Sequence, residues 1–142
     1  MKLIADSGST KVEWCLLDHD KPVRQIFTSG FNALMLTEEE IAQYLDDELM
    51  SQLGEQARSV TEVHFYGAGC IDEEVCRNVR RAIRQNIDVP TIEAHSDLLG
   101  AARALFGERE GIACILGTGS NSCYYNGREI KDHVSPLGYI LG

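Results

Sequence analysis

Proline is scarce in this sequence, with 3 among 142 residues. No Pro-rich linker, low-complexity segment or internal repeat breaks the chain, so no compositional boundary divides it. Long apolar runs are missing too. No window approaches the roughly 18 residues of a membrane-spanning helix. Met1-Lys2-Leu3-Ile4-Ala5-Asp6 turns acidic before a secretory h-region could form. Basic residues are in deficit, 13 against 22 acidic, which leaves a net charge of −9. That sign disfavours nucleic acids and anionic membranes, which are bound through basic patches. Any phosphate handled here must be held by local geometry. No CxxC pair occurs among Cys15, Cys70, Cys76, Cys114 and Cys123. An odd set of cysteines inside apolar stretches reads as reduced thiols of a cytoplasmic protein, a redox or iron–sulfur role being the alternative.

What is present suffices for a core. Hydrophobic residues make up 44% and charged residues 25%, an ordinary globular balance that excludes disorder. The length fits about one domain and is short for an enzyme that closes two domains on its substrate. Lys2–Ala5 reads as a strand, and Val12–Leu17 alternates as a second. After the polar turn Asp18-His19-Asp20-Lys21, Val23–Phe27 completes a meander. Thr37 with Glu40 forms a capping box, and Ile41, Leu45, Leu49 and Leu53 give the following helix one apolar stripe. Val63–Tyr66 is a fourth strand. Asp72 opens a second helix with Val75, Val79 and Ile83 inward and Arg77, Arg80, Arg81 and Arg84 outward. Thr91–Ala94 is a fifth strand, and Asp97–Phe106 a third helix stopped by Gly107. Ile112–Leu116 reads as a buried strand. Asn126-Gly127 marks a tight hairpin between Ser122–Tyr125 and Glu129–Lys131. The order predicts an α/β fold: a mixed five-stranded sheet with helices on both faces, plus a small C-terminal β-hairpin. Its helix-linked strands should be parallel.

Four loops carry chemistry. Asp6-Ser7-Gly8-Ser9-Thr10-Lys11 joins the first two strands with small residues, hydroxyls and a lysine. Backbone N–H groups of such a loop can approach an anion closely. Asp6 could hold Mg²⁺ through water. No helix follows, so this is not a Walker A loop; a plain polar β-turn is the alternative. Gly117-Thr118-Gly119-Ser120-Asn121 repeats the composition after the Ile112–Leu116 strand. It is either a second phosphate or sugar loop or a flexible hairpin connection. Asp97, at a helix start, is either a general base for a substrate hydroxyl or a helix cap. Asn32, in Ser29-Gly30-Phe31-Asn32, offers both donor and acceptor to a sugar, and also suits a turn.

With these loops and this order, the sequence resembles the N-terminal half of the N-acetylglucosamine kinase and BadF/BadG/BcrA/BcrD-type ATPase family. That family lies in the actin/Hsp70/sugar-kinase superfamily with a ribonuclease-H-like fold. The resemblance covers essentially residues 1–142. It rests on Asp6–Glu13 (DSGSTKVE), Asn32, His95-Ser96-Asp97, Leu116–Asn121 (LGTGSN) and Pro136-Leu137-Gly138. It implies an ATP-dependent kinase for an amino sugar, N-acetylglucosamine, with ATP and Mg²⁺ as cofactors. ATP would meet Asp6, Gly8, Ser9, Thr10, Lys11, Gly117, Thr118 and Gly119, with Mg²⁺ near Asp6. Asp97 would be catalytic. Asn32, Asp97, Ser120, Asn121, Pro136, Leu137 and Gly138 would contact the sugar. The family's further sugar-binding Asp and its adenosine pocket lie in a second, C-terminal domain. These residues alone are therefore expected to be catalytically incomplete, and the apolar end Ser135–Gly142 is suited to homodimer contacts. The alternatives are an ATPase that activates a 2-hydroxyacyl-CoA dehydratase, or a non-catalytic sugar- or nucleotide-sensing module.

Overall fold

Alternation of apolar and polar residues builds the first three strands, β1 (Lys2–Ser7), β2 (Lys11–Asp18) and β3 (Lys21–Ser29). Each runs past its apolar stretch into polar ends, because the ladder continues through Asp6↔Glu13, Ser7↔Val12 and Lys11↔Ser29. The computed structural model describes residues 1–116 and 120–137, the last five by backbone alone. The chain divides into two compact units, Met1–Ser96 and Asp97–Gly142.

In the first unit the five strands run in the order β3-β2-β1-β4-β5, with β4 Glu62–Gly67 and β5 Thr91–Ser96. The meander is antiparallel, whereas β1–β4 and β4–β5 are parallel. Period-2 alternation sends Leu3, Ala5, Val12, Trp14, Val63 and Phe65 to one buried face. Asp6, Glu13, His64 and Tyr66 occupy the alternate positions. Trp14 packs against Phe65 at 6.1 Å between ring centroids, and Phe31 stacks on Phe65 at 5.9 Å.

The helices complete this core. Thr37 caps α1 (Glu38–Tyr44) with the full capping box: its side chain accepts from the Glu40 N–H, and Glu40 accepts from the Thr37 N–H. A single helix through Leu53 is expected from the stripe. The structure instead changes winding: a π-helical stretch covers Leu45–Met50 before the short α2 (Ser51–Leu53). Residues spaced strictly by four drift around an α-helix by about 40° per repeat. The wider π turns counter that drift. Ile41, Leu45, Leu49 and Leu53 consequently all stay buried. Asp72 caps α3 (Glu73–Asn86) by accepting from the Val75 N–H at 2.9 Å, and Val75, Val79 and Ile83 face inward as expected.

The second unit starts with α4 (Asp97–Phe106), which ends at Gly107 in a left-handed conformation with φ of +60°. Three antiparallel strands follow in the order β6-β7-β8: Gly111–Leu116, Ser120–Tyr125 and Ile130–Leu137. The expected hairpin is thus enlarged by β6. The expected burial of β6 is also corrected: Ala113 is inside, but Ile112 is 70% and Leu116 82% exposed. Among the described residues its partner strand lies on one edge only, and its alternate side chains face away from the small core of Leu98, Ala102, Ala113, Cys123 and Tyr125. The Asn126-Gly127 turn is longer than the tight form. Asn126 N–H donates to the Glu129 carbonyl, and Asn126 Oδ1 accepts from the Arg128 and Glu129 amides. No described helix is long and apolar enough to cross a membrane.

Candidate functional site

Open α/β sheets bind ligands beyond the carboxyl ends of their parallel strands. In the first unit three chain segments meet there. Gly8 N–H donates to the Lys11 carbonyl at 2.9 Å and closes the β1–β2 turn, with Ser9 and Thr10 exposed at its tip. Gly30 N–H reaches the Thr10 carbonyl at 3.0 Å. A Cβ on Gly30 would stand 2.4 Å from the Ser9 and Thr10 backbone, so only glycine allows this approach. Ala68 N–H donates to the Ser7 carbonyl at 2.8 Å, and Ala33 N–H to the Ala68 carbonyl at 3.3 Å. Backbone bonds thereby lace Ser7–Lys11, Gly30–Ala33 and Gly67–Gly69 together.

A buried polar network supports this platform from behind. Trp14 Nε1–H donates to Thr28 Oγ1 at 2.9 Å, and the Tyr44 hydroxyl sits between Thr28 Oγ1 and the Ser29 carbonyl. Burial pushes the Tyr44 phenol up to about 12, so it stays a neutral hydroxyl. Glu48 accepts from the Ser29 N–H at 2.6 Å. The chain entering Gly30 is therefore fixed on both sides.

Asp6 lies opposite Glu13 on one neighbouring strand and Tyr66 on the other. Desolvation first, then the Glu13 charge, lift its carboxyl above the ordinary value, with Lys11 pulling the other way. A cation beside Asp6 would relieve that repulsion. Among the described residues no three metal-binding side chains converge. Mg²⁺ needs no such cage, because one or two carboxylates, water and substrate phosphates commonly hold it. The donor set at Asp6 fits that role. Lys11 is the first residue of β2, with its ammonium 5.3 Å from the centre of the Phe27 ring.

Asn32 is the N-cap of a 3-10 turn, Ala33–Met35, and its Oδ1 accepts from the Leu34 N–H at 3.0 Å. It is both a turn residue and exposed at the platform. Two features of the platform escape a reading of motifs. One is Ser7, whose fully buried hydroxyl has no hydrogen-bond partner among the described residues. The other is Gly67-Ala68-Gly69 at the end of β4, whose sequence signal is a Gly-rich strand end.

In the second unit Asp97 is the first residue of α4, half-buried, with Oδ1 accepting from the Leu98 N–H at 2.9 Å. Ser120 opens β7 opposite Leu116, and Asn121 pairs with Ile115. Asn121 Oδ1 is buried without a partner among the described residues. Pro136 and Leu137 end β8. Gly117, Thr118, Gly119 and Gly138 lie outside the described residues. The five cysteines are free thiols. Cys70 and Cys76 are buried, and burial pushes the Cys76 thiol up although Cys70 hydrogen-bonds to it.

No protein-family model and no curated protein matches the chain. Solved structures do. A crystal structure from Porphyromonas gingivalis, named "Putative N-acetylglucosamine Kinase", matches the whole chain at 49% identity with a TM-score of 0.94. The chain spans about half of that protein, 50% of its length. The ethanolamine utilization protein EutJ from Carboxydothermus hydrogenoformans matches 96% of the chain at 15% identity and a TM-score of 0.61, covering 51% of its own length. That second likeness speaks to the fold alone. The chain has the actin-like ATPase fold, and it is a relative of one half of the P. gingivalis protein.

Proposed function

We propose that this chain is the acceptor- and phosphate-binding half of an ATP-dependent amino-sugar kinase of the N-acetylglucosamine kinase and BadF/BadG/BcrA/BcrD-type family, with N-acetylglucosamine as acceptor. The observation that carries the reading is the match of the whole chain to one half of the P. gingivalis protein at 49% identity. The laced platform of Ser7–Lys11, Gly30–Ala33 and Gly67–Gly69 supports it, because backbone bonds hold the exposed Ser9 and Thr10, with Lys11 beside them, at the carboxyl ends of the parallel strands.

Asp97 takes the proton of the acceptor hydroxyl on a carboxylate oxygen. The freed oxygen forms the new bond to the γ-phosphorus as the bond to the ADP oxygen breaks. Phosphoryl transfer of this kind is catalysed mostly by positioning and electrostatics. Ser9, Thr10 and Lys11 would offer amide, hydroxyl and ammonium donors to phosphate oxygens in the turn that Gly8 closes, and Gly117, Thr118 and Gly119 would add backbone amides and the Thr118 hydroxyl. Asp6 would hold Mg²⁺ through water, and the ion neutralises charge on the phosphates when bound. Asn32, Ser120, Asn121 and the Pro136–Gly138 backbone would orient the sugar.

The test is ATP-dependent phosphorylation of N-acetylglucosamine by the protein carrying this chain. Asp97→Asn should lower kcat by about 10²–10⁴-fold, the usual scale of a lost general base. Sugar binding should survive in that variant. Full turnover by Asp97→Asn removes the catalytic assignment, and absence of phosphorylation across a panel of amino sugars removes the substrate class.

A further inference from the structure

We propose that Gly69 is a positioning residue for Asn32, and that with the Leu34 amide it fixes the Asn32 carboxamide as a hydrogen-bond donor to the ligand. The inference rests on the reading of Asn32 as a sugar contact. Residues 32 and 69 come from separate loops, after β3 and after β4, and nothing in their sequence spacing links them. In the structure they touch. Gly69 has a φ of +84°, and a Cβ built on it would stand 1.9 Å from Asn32 Oδ1, 2.8 Å from the Leu34 nitrogen and 3.0 Å from the Ala33 nitrogen. The bare backbone of Gly69 thus forms one wall of the space in which the Asn32 side chain lies.

The other constraint is the Leu34 N–H, which donates to Asn32 Oδ1 at 3.0 Å. An amide donor facing the carboxamide fixes which end is oxygen. The oxygen is committed to the protein. The NH₂ makes no hydrogen bond among the described residues, and the residue is exposed, which leaves that group for a ligand. An asparagine held this way selects an acceptor oxygen, such as a sugar hydroxyl or an acetamido carbonyl.

Gly69 is itself tied down. Ile71 N–H donates to its carbonyl at 2.8 Å, and the preceding residue, Ala68, bonds to both Ser7 and Ala33. The wall beside Asn32 is thereby joined to the loop proposed to hold phosphate. Displacing Gly69 should disturb the acceptor contact first.

Gly69→Ala combines a steric contact with a left-handed backbone, so its cost needs a matched control. Gly54→Ala supplies it: Gly54 also has a positive φ, +53°, yet a Cβ there meets nothing within 4 Å. Gly69→Asn tolerates the left-handed backbone better and carries the same Cβ, giving a second folded variant. The Asn32 side-chain NH₂ and Leu34 amide resonances are followed by NMR, and N-acetylglucosamine binding by calorimetry. Both Gly69 variants should move the Asn32 resonances and weaken sugar binding at least tenfold, with ATP binding kept. Gly54→Ala should lower Tm while leaving resonances and affinity unchanged. Asn32→Asp keeps an acceptor for Leu34 and loses the donor, so the Leu34 resonance should persist while affinity falls at least tenfold. Unmoved Asn32 resonances in a folded Gly69 variant overturn the positioning role. Wild-type affinity in Asn32→Asp overturns the donor role. Failure of the sugar reading is distinguishable as wild-type protein without sugar affinity, and the resonance comparison then decides the positioning role alone.

Discussion

The chain contains two β-meanders of similar local design and different surroundings. In each, an apolar strand is followed in sequence by glycine and hydroxyl residues, and an antiparallel strand returns. In the first, β1 has β2 on one edge and β4 on the other, and Leu3 and Ala5 are fully buried. In the second, β6 pairs among the described residues with β7 alone, and Ile112 and Leu116 are exposed. The strand sequences LIA and CIL are equally apolar. Burial is decided by what covers the strand, not by its own composition.

The sharpest way to stress this contrast is to remove the centre of the first core. Trp14→Ala deletes the ring packed on Phe65 and leaves Thr28 short of a donor. A loss of about 3–5 kcal/mol is expected in urea unfolding, as for other buried aromatics. In the second unit, Tyr125→Phe removes only the hydroxyl that donates to the Gly107 carbonyl at 2.8 Å. About 1 kcal/mol is expected, read from faster amide exchange in β6 and β7.

Asp6→Asn should act in the opposite direction. Its raised carboxyl pKa means that the folded chain binds the proton more tightly than the unfolded chain. Ionisation therefore weighs against folding, fully so above the folded-state pKa. At pH 7 the variant should gain about 1–2 °C in Tm, the scale of a few tenths of a kcal/mol for an exposed charge. The gain should shrink as pH falls towards the ordinary carboxylate value of 3.8. The smallest effect belongs to Leu116→Lys, expected within about ±0.5 kcal/mol for an exposed position. A core-sized loss there would show that β6 is covered as β1 is, and the contrast between the meanders would collapse.

Local signals are legible in the sequence wherever one residue acts on its near neighbours. Thr37 with Glu40, Asp72 and Gly107 set helix ends through contacts three or four residues away. The Asp6–Lys11 loop was legible for the same reason, since its small residues and hydroxyls are contiguous. The polar Ser7 and Thr28 mark strand ends too early in sequence, yet both are buried by the ladder around them. The π-helical stretch follows from a four-residue stripe that must stay on one face, a demand set by the sheet beneath it. Gly30 against Thr10 and Gly69 against Asn32 were hidden, because each is a close approach between segments far apart in sequence. Lys11 belongs to the loop by sequence, but pairing with Ser29 draws it into β2.

The parallel pairing of β1 with β4 has a kinetic consequence. Lys2↔Glu62 through Ser7↔Gly67 align residues sixty positions apart, and Met1 adds bonds to Ser59 and Thr61. Pairings this remote require the intervening loop to close before they reward the chain, which slows folding. The Ser7–Ala68 bond of the platform comes with that pairing. The platform should therefore form late in refolding, after α1 and the β2–β3 hairpin.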